Sequence, residues 1–306
     1  MRPRRICPAA AGCGGSASRC GLRRDSVATV ASGNEDPRRE TQCYFGPFRE
    51  LAGRSDVEHG EPYDSPFAEV YLATTPRANA DERFYLEQIS RSGGPVLELG
   101  CGAGRITLEV ARRGYDIDAF DTSRPMRDAL GSAARRLPGD AGHVGLYADD
   151  IRTCEWPRRY GTIVVSAVML PAFAATAGRD WLRRLAWALA PGGRLCFDVQ
   201  SPRPTPEQET VAQHVIQLGD ATVHLLQGTR CLHDPLGHVV NLYAEDNVDG
   251  ALRRVLACEF VPWLTDDAVV DLMASAQLRI AARRDYGDGL QMAPARAYAA
   301  VPESQP

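Results

Sequence analysis

Three closely spaced glycines mark the junction between a short apolar segment and an amphipathic one, and this junction restricts the possible folds severely. Residues 95–99 have the length and composition of a buried strand, and residues 106–113 have the apolar spacing of a helix. Gly100, Gly102 and Gly104 stand between them. Glycines at such a turn let a ligand approach the main chain beside the free N–H groups of the helix start. The turn therefore predicts a bound adenosyl cofactor or a dinucleotide.

Strand and helix patterns alternate on both sides of this turn. Further strands are predicted over 115–120, 143–147, 163–167 and 194–199, and helices over 81–90, 123–136 and 181–190. The apolar run 163–177 is interpreted as a buried strand followed by a loop, because it is too short for a membrane span and contains Pro171. Alternation at this pace is typical of a parallel, doubly wound sheet.

After residue 206 the pattern changes to strands without helices between them. Strands are predicted over 222–226, 239–244 and 252–261, then a helix over 265–276 and closing strands over 278–284 and 295–301. Turn residues at 234–235 and 249–250 indicate antiparallel pairing. The predicted fold class is α/β: a Rossmann-like, doubly wound, mostly parallel seven-stranded sheet with an antiparallel β insertion after the fifth strand.

The spacing of the glycines distinguishes between an adenosyl cofactor and a dinucleotide as the predicted ligand. The dinucleotide fingerprint needs a third small residue for close helix–strand packing, but here Gly104 comes one place early and Arg105 occupies the required position. Roughly twenty residues on, Asp121 ends the second strand, where a carboxylate can accept hydrogen bonds from both ribose hydroxyls. These features favour the adenosyl cofactor.

Four segments together carry a resemblance to a known family. They are 98–104 (ELGCGAG), 120–126 (FDTSRPM), 148–151 (ADDI) and 189–195 (LAPGGRL). In this order they resemble the successive motifs of class I S-adenosyl-methionine-dependent methyltransferases, strongly over about residues 80–200. The resemblance implies S-adenosyl-methionine as cofactor and N- or O-methylation of a small-molecule acceptor, of the kind found in bacterial secondary metabolism.

The same resemblance implies a set of cofactor-binding residues within or beside these motifs. They are Glu98, Gly100, Cys101, Gly102, Gly104, Asp121, Thr122, Met126, Asp149, Asp150, Ile151 and Ser166. The loop backbone would cradle the methionine part, with Glu98 orienting the loop and reaching the ammonium group through water. Asp121 would bind the ribose, and Asp150, or alternatively Asp149, the adenine amino group.

Two further roles follow from the resemblance. Ile151 would pack on the adenine ring, and Ser166 would offer its backbone carbonyl to the cofactor ammonium. The acceptor pocket would form from residues 44–71, the stretch 169–173 after the fourth strand, and the insertion.

Methyl transfer requires alignment and exclusion of water more than a diagnostic catalytic group. The catalytic residue is therefore left unknown, with weak candidates for a general base in His214, His224, His233 and Tyr63; His238 and Asp64 are also considered. Two alternatives stay open. In the first, the chain is a non-catalytic S-adenosyl-methionine-binding protein or partner subunit. In the second, it is an enzyme that transfers another group from this type of cofactor, such as an aminopropyl group.

The amino-acid composition restricts the classes of binding partner and mechanism that the chain can have. Net charge is −4 and pI about 5.9, so neither a nucleic-acid surface nor a membrane patch is expected. All 35 basic residues are arginine, which excludes mechanisms that use lysine, such as a Schiff base. Nine cysteines without a Cys-x-x-Cys pair indicate no metal site and a reducing cytoplasm. We expect a cytoplasmic monomer or homodimer.

The expected organisation has five parts. Residues 1–40, rich in arginine and small residues, form a disordered tail, whose apolar core is shorter than the roughly 7–15 residues of a secretory signal. The others are a helical cap over 41–94, the cofactor-binding core over 95–200, the insertion over 201–264 covering the acceptor pocket, and a final helix with closing strands over 265–306.

Overall fold

The computed structural model describes residues 43–75, 80–202, 208–286 and 295–303. The predicted tail over 1–40 lies outside these residues. In chain order the elements are α1 (Phe48–Ala52), β1 (Glu58–His59), α2 (Phe67–Thr74), α3 (Ala80–Ser92), β2 (Val96–Leu99), α4 (Arg105–Arg112), β3 (Ile117–Phe120), α5 (Arg124–Ala134), β4 (Val144–Tyr147), β5 (Tyr160–Val165), α6 (Met169–Trp187), β6 (Leu189–Gln200), β7 (Glu209–Leu218), β8 (Ala221–His233), β9 (Leu236–Val248), β10 (Ala251–Pro262), α7 (Asp266–Ala274), β11 (Leu278–Tyr286) and β12 (Ala295–Pro302).

The main sheet has seven strands in the order β11-β12-β6-β5-β2-β3-β4. The five strands from β6 to β4 are parallel, whereas β12 and β11 pair antiparallel at the other edge. Every residue of β2, β3 and β5 is buried, because helices cover both faces of the sheet. The predicted fold class is confirmed. The carboxyl ends of β2, β3, β4 and β5 consequently meet at one edge, which positions the site.

Local capping signals decide where two of the helices begin. The Ser123 hydroxyl accepts a hydrogen bond from Met126 N, and Pro125 occupies the first turn of α5, where no N–H is needed. Thr265 caps α7 in the same way by accepting from Ala268 N. Both starts were predicted from these residues.

The prediction around α6 was wrong in two respects. Residues 169–173 are helical rather than a loop, since α6 begins at Met169 and runs with a non-helical break at Gly178. Pro171 lies in the first turn, where its missing N–H disrupts no helical hydrogen bond. The end predicted for this helix was also late, because the segment from Leu189 onward, including Pro191, belongs to β6.

A second sheet follows the order β1-β10-β9-β8-β7. Strands β7 to β10 are antiparallel, and the two-residue strand β1 pairs parallel with β10. Sequence analysis missed β1 and β7. Nearly all of β7 is exposed at the sheet edge, so burial has imposed no clear alternation of apolar and polar residues on it.

Both faces of the second sheet are covered. On the face that we call the outer face, Tyr243 and Leu256 pack against Phe45 and Phe48. On the opposite, inner face, β8, β9 and β10 pack against one side of α2, which in turn lies against α5 of the main domain. The inner face is therefore the one turned toward the main sheet. No helix within the described ranges is long and apolar enough to cross a bilayer.

Candidate functional site

The glycine-rich loop folds over the carboxyl end of β3. The backbone N–H groups of Gly100 and Cys101 donate to the carbonyl of Phe120, with N···O distances of 2.8 and 3.0 Å. Gly100, Gly102 and Gly104 have φ of 72°, 52° and 88°, in the left-handed region that side chains disfavour. The three glycines are thus needed for the conformation of the turn itself.

The carboxylate of Asp121 fastens this loop to the next strand end. It accepts hydrogen bonds from Gly102 N at 2.7 Å and from Ser123 N at 2.8 Å, one on each oxygen. Burial raises the pKa of Asp121, and the two backbone donors oppose that shift. Each oxygen has a second acceptor position, so the same carboxylate can also accept from a bound diol.

Glu98 lies beneath the loop at the end of β2 and is fully buried. Its carboxylate accepts a short hydrogen bond from the Thr107 hydroxyl of α4. Burial raises the pKa of Glu98 to about 7, while Thr107 and the charge of Arg105 oppose the rise. Near neutral pH the group can therefore gain or lose a proton according to what binds beside it.

This pKa predicts a pH dependence of cofactor binding. If Glu98 receives the cofactor's ammonium group, only its ionised form binds well. We expect the affinity for S-adenosyl-homocysteine to fall about tenfold per pH unit as the pH drops below 7. The fall ends at the pKa that Glu98 has in the complex, which is lower because the bound ammonium group favours the ionised carboxylate. Calorimetry across pH measures this. The Glu98→Gln variant should lose the slope, and an unchanged slope in that variant would contradict the role.

Arg105 opens α4 and reaches a buried partner on α3. Its two terminal nitrogens donate to the two carboxylate oxygens of Asp81 at 2.7 and 2.6 Å. Asp81 is almost inaccessible, so this bidentate pair is largely removed from solvent. The residue that breaks the dinucleotide fingerprint thus ties the helix start to α3. Asp81 was not predicted as a site residue, because nothing local in the sequence links it to Arg105.

The two acidic residues after β4 have different surroundings. Asp150 is paired with Arg152, whose guanidinium contacts it at 2.7 Å and lowers its pKa. Asp149 is exposed, and its carboxylate makes no hydrogen bond to the residues that the structure describes. Its strand end adjoins the site, since Asp121 N donates to the Tyr147 carbonyl at 3.2 Å. Of the two residues predicted for the adenine contact, Asp149 is therefore the one whose carboxylate is exposed and not paired with Arg152.

We expect Asp149→Ala to weaken S-adenosyl-homocysteine binding about tenfold, the usual effect of losing one hydrogen bond to a charged acceptor. Asp150→Ala is the matched control and should change affinity much less, since it removes a carboxylate already bound to Arg152. Calorimetry on both variants decides the matter. A larger loss in the Asp150 variant would restore the first assignment.

Ile151 and Met126 are buried rather than exposed to the site. Ile151 belongs to the main core, and its carbonyl accepts from Trp181 Nε1 at 2.9 Å. Met126 lies in the first turn of α5. Thr122, by contrast, is exposed. Of these three predicted residues, the structure therefore leaves only Thr122 with an accessible side chain.

The turn after β5 is held in an unusual conformation. Ser166 is buried, and the next two residues, Ala167 and Val168, have φ of 59° and 55°. Val168 N donates at 3.1 Å to Asp198, a buried carboxylate that also accepts from the Tyr85 hydroxyl at 2.8 Å. Left-handed conformations of residues with side chains are costly and are found where surrounding structure enforces them. The Asp198 network, which sequence analysis missed, enforces this one.

Tyr63 is bound directly to the cofactor side of the site. Its carbonyl accepts a hydrogen bond from the Ser123 hydroxyl at 2.6 Å. Its ring contacts that of Tyr71 edge-on, with centroids 5.9 Å apart. The negative charge of Glu259, desolvation and, to a lesser degree, the charge of Asp121 raise the pKa of Tyr63, although the residue as a whole is 43% exposed. Tyr63 is therefore attached through Ser123 to the start of α5, beside Asp121, and through its ring to α2.

The histidine candidates are spread over the second sheet. His214, His224 and His233 are all exposed. His238 is buried, and burial lowers its pKa to about 4; its Nδ1 accepts a hydrogen bond from Trp263 Nε1 at 3.0 Å. The structure does not bring these imidazoles together, and it joins none of them to the glycine loop among the described residues.

Comparison with known sequences identifies one domain. Residues 96–193 match a family model described as a methyltransferase domain. The match includes the first three motifs and residues 189–193 of the fourth, which contain the turn inside β6. A comparison with curated proteins finds no significant match.

Solved structures share the fold over most of the chain. The sugar N-methyltransferase KedS8 of Streptoalloteichus is 17% identical with a TM-score of 0.62, covering 82% of this chain and 98% of that one. The CcbJ methyltransferase of Streptomyces caelestis is 18% identical with a TM-score of 0.59, covering 80% and 99%. The glycopeptide N-methyltransferase MtfA, complexed with S-adenosyl-homocysteine, is 19% identical with a TM-score of 0.53, covering 85% and 99%. At these identities the similarity establishes the fold alone.

Proposed function

We propose that this chain, whose residues 96–193 form a methyltransferase domain, uses S-adenosyl-methionine to methylate a small molecule on nitrogen or oxygen. One observation carries the proposal: the Asp121 carboxylate and the left-handed glycine loop are joined at the carboxyl ends of adjacent parallel strands. Ligands bind at this edge in open α/β sheets. A role in bacterial secondary metabolism is a further expectation, consistent with sugar and glycopeptide N-methyltransferases among the structural neighbours.

The residues of the site fit this cofactor. A methyl group built on Gly102 would meet no atom within 4 Å, so the loop is open above this residue. Asp121 has acceptor positions for a ribose, and Glu98 places a titratable carboxylate under the loop. Asp149 follows at the next strand end with its carboxylate exposed. Together these residues would hold the cofactor from its amino acid part to its adenine.

When bound, S-adenosyl-methionine supplies an electrophilic methyl group. The chain's contribution is to orient the acceptor and to exclude water. The Tyr63 carbonyl accepts from Ser123 beside Asp121, the Tyr63 ring contacts Tyr71 of α2, and α2 packs against the inner face of the second sheet. An acceptor bound beside these two rings would lie near the edge of the main sheet at which the parallel strands end.

A methyl-transfer assay tests the proposal. Purified protein is incubated with S-adenosyl-methionine tritiated in the methyl group and with pools of small amines, phenols, alcohols and acids. Transfer to one pool is the expected result. Tight binding of S-adenosyl-homocysteine without transfer to any pool would favour the alternative of a non-catalytic binding protein. In a parallel incubation with decarboxylated S-adenosyl-methionine carrying the same label, aminopropyl transfer would leave the label on methylthioadenosine.

A further inference from the structure

Glu259 occupies the inner face of the second sheet. It lies on β10 and pairs with Val240 of β9 in an unbroken antiparallel register that also contains Val255 and Ala257. Side chains alternate along a strand, so Glu259 points to the same side as Val255 and Ala257. Those two pack against Phe67 and Val70 of α2. Glu259 therefore faces the main domain, although sequence analysis did not single it out.

The same face continues from Glu259 to the main sheet. Trp263, just beyond β10, bridges to Gln200 at the carboxyl end of β6. Its indole N–H lies 3.1 Å from Gln200 Oε1 and 3.0 Å from Nδ1 of His238, which is paired with Val261. Glu259 thus lies between the contact with α2 and the contact with β6. This position is over the edge at which the parallel strands end.

Tyr63 connects Glu259 to the predicted cofactor site, which consists of the glycine loop and Asp121. The carbonyl of Tyr63 is bound by Ser123, whose own N–H donates to Asp121. The negative charge of Glu259 is the largest cause of the raised pKa of Tyr63, ahead of burial. Tyr63 therefore links the inner face of the second sheet, through Ser123, to the residues around Asp121.

The surroundings of Glu259 leave its charge uncompensated. Burial raises its pKa to about 7, and the negative charge of Glu61 adds to the rise. Within the described residues, no arginine or histidine pairs with it, and it accepts no hydrogen bond. The other groups facing it are the Tyr63 hydroxyl and, farther along β9, the buried His238. Glu259 is only partly exposed, and a carboxylate of this kind is stabilised by a cationic ligand or by a proton.

We propose that Glu259 binds the protonated amino group of the acceptor and removes its proton. The inference rests on the proposed methyl transfer and narrows the acceptor to a primary or secondary amine. The carboxylate takes one proton from the ammonium, which leaves a free electron pair on nitrogen. That pair forms the new nitrogen–carbon bond as the carbon–sulfur bond breaks and its electrons remain on sulfur. The proton on Glu259 passes to solvent after the product leaves.

Binding of matched ligands tests the first part. The protein with S-adenosyl-homocysteine is titrated by calorimetry with a series of small amines and the corresponding alcohols, at about pH 8, where Glu259 is ionised and the amines are charged. The best amine should bind about tenfold or more tightly than its alcohol. Glu259→Gln should abolish that preference without changing S-adenosyl-homocysteine affinity. Glu209→Gln, an exposed carboxylate on β7 of the same sheet, should keep it.

The outcomes separate this inference from the proposed function. Failure of the wild-type protein to bind S-adenosyl-homocysteine would overturn the function itself. Normal binding of S-adenosyl-homocysteine, with no amine preference or with a preference that survives in Glu259→Gln, would overturn only the role of Glu259. In the transfer assay kcat for an amine should fall about a hundredfold in Glu259→Gln, the effect of losing a general base. Unchanged kcat would exclude proton removal by Glu259.

Discussion

Replacing Asp121 by alanine is expected to weaken S-adenosyl-homocysteine binding about a hundredfold. The carboxylate has two tasks in the structure. It holds the glycine loop through Gly102 N at 2.7 Å and the start of α5 through Ser123 N at 2.8 Å. Its free acceptor positions are the ones that would receive the two ribose hydroxyls. Losing two hydrogen bonds to a charged acceptor costs roughly 3 kcal/mol or more, which corresponds to the stated factor.

Two comparison variants make this measurement specific. Asp121→Asn keeps the shape, but its NH₂ group must face one of the two backbone donors, so about a tenfold loss is expected. Asp128→Ala removes an exposed carboxylate from the following helix and should leave the affinity unchanged. Calorimetry with S-adenosyl-homocysteine gives all three values. Unaltered affinity in Asp121→Ala would remove the ribose assignment.

Gly104→Ala should lower the free energy of unfolding by about 2–5 kcal/mol. The left-handed backbone, with φ of 88°, costs a residue with a side chain about 1–2 kcal/mol. A methyl group there would also lie 2.3 Å from Cδ1 of Leu130, which is fully buried beside Cys101 and Ala119. Overpacking of this kind adds about 1–3 kcal/mol.

Gly114→Ala is the matched control for backbone strain. Its φ is 80°, but a methyl group there meets no atom within 4 Å. It should therefore lose only about 1–2 kcal/mol. Denaturant unfolding of both variants measures the difference, which isolates the contact with Leu130. Equal losses would show that the core beside Gly104 accommodates a methyl group.

Much of the cofactor side could be predicted because its signals are local. The strand, the glycine turn and the helix follow one another between Val96 and Arg112, and the match to a methyltransferase domain confirms the interpretation of these motifs. Ser123 and Thr265 predicted the starts of two helices, because their side-chain oxygens cap the first turn. The choice between Asp149 and Asp150 was not local, since it depends on the position of Arg152.

The errors have a common origin in long-range packing. The start of α6 was missed because an apolar run with a proline suits a strand, a loop or a first helical turn equally well. The strand β7 was missed because neither of its faces is buried enough to impose a pattern. The pairing of Arg105 with Asp81 joins helices that are separated by β2 and the glycine loop. No short window of sequence contains both partners of that ion pair.

The amino-acid sequence alone predicted the half of the site that binds the cofactor. Its residues lie at the ends of successive strands within 96–151, so short motifs in the sequence identify them. The half that faces the acceptor was decided by tertiary structure. Both faces of the second sheet are covered by apolar side chains, so alternation along β10 cannot reveal which face looks toward the main sheet. Only the packing of α2 against the inner face, together with the bridge from Trp263 to Gln200, shows that Glu259 faces the main sheet. Register and packing, rather than composition, place that carboxylate on the face turned toward the main sheet.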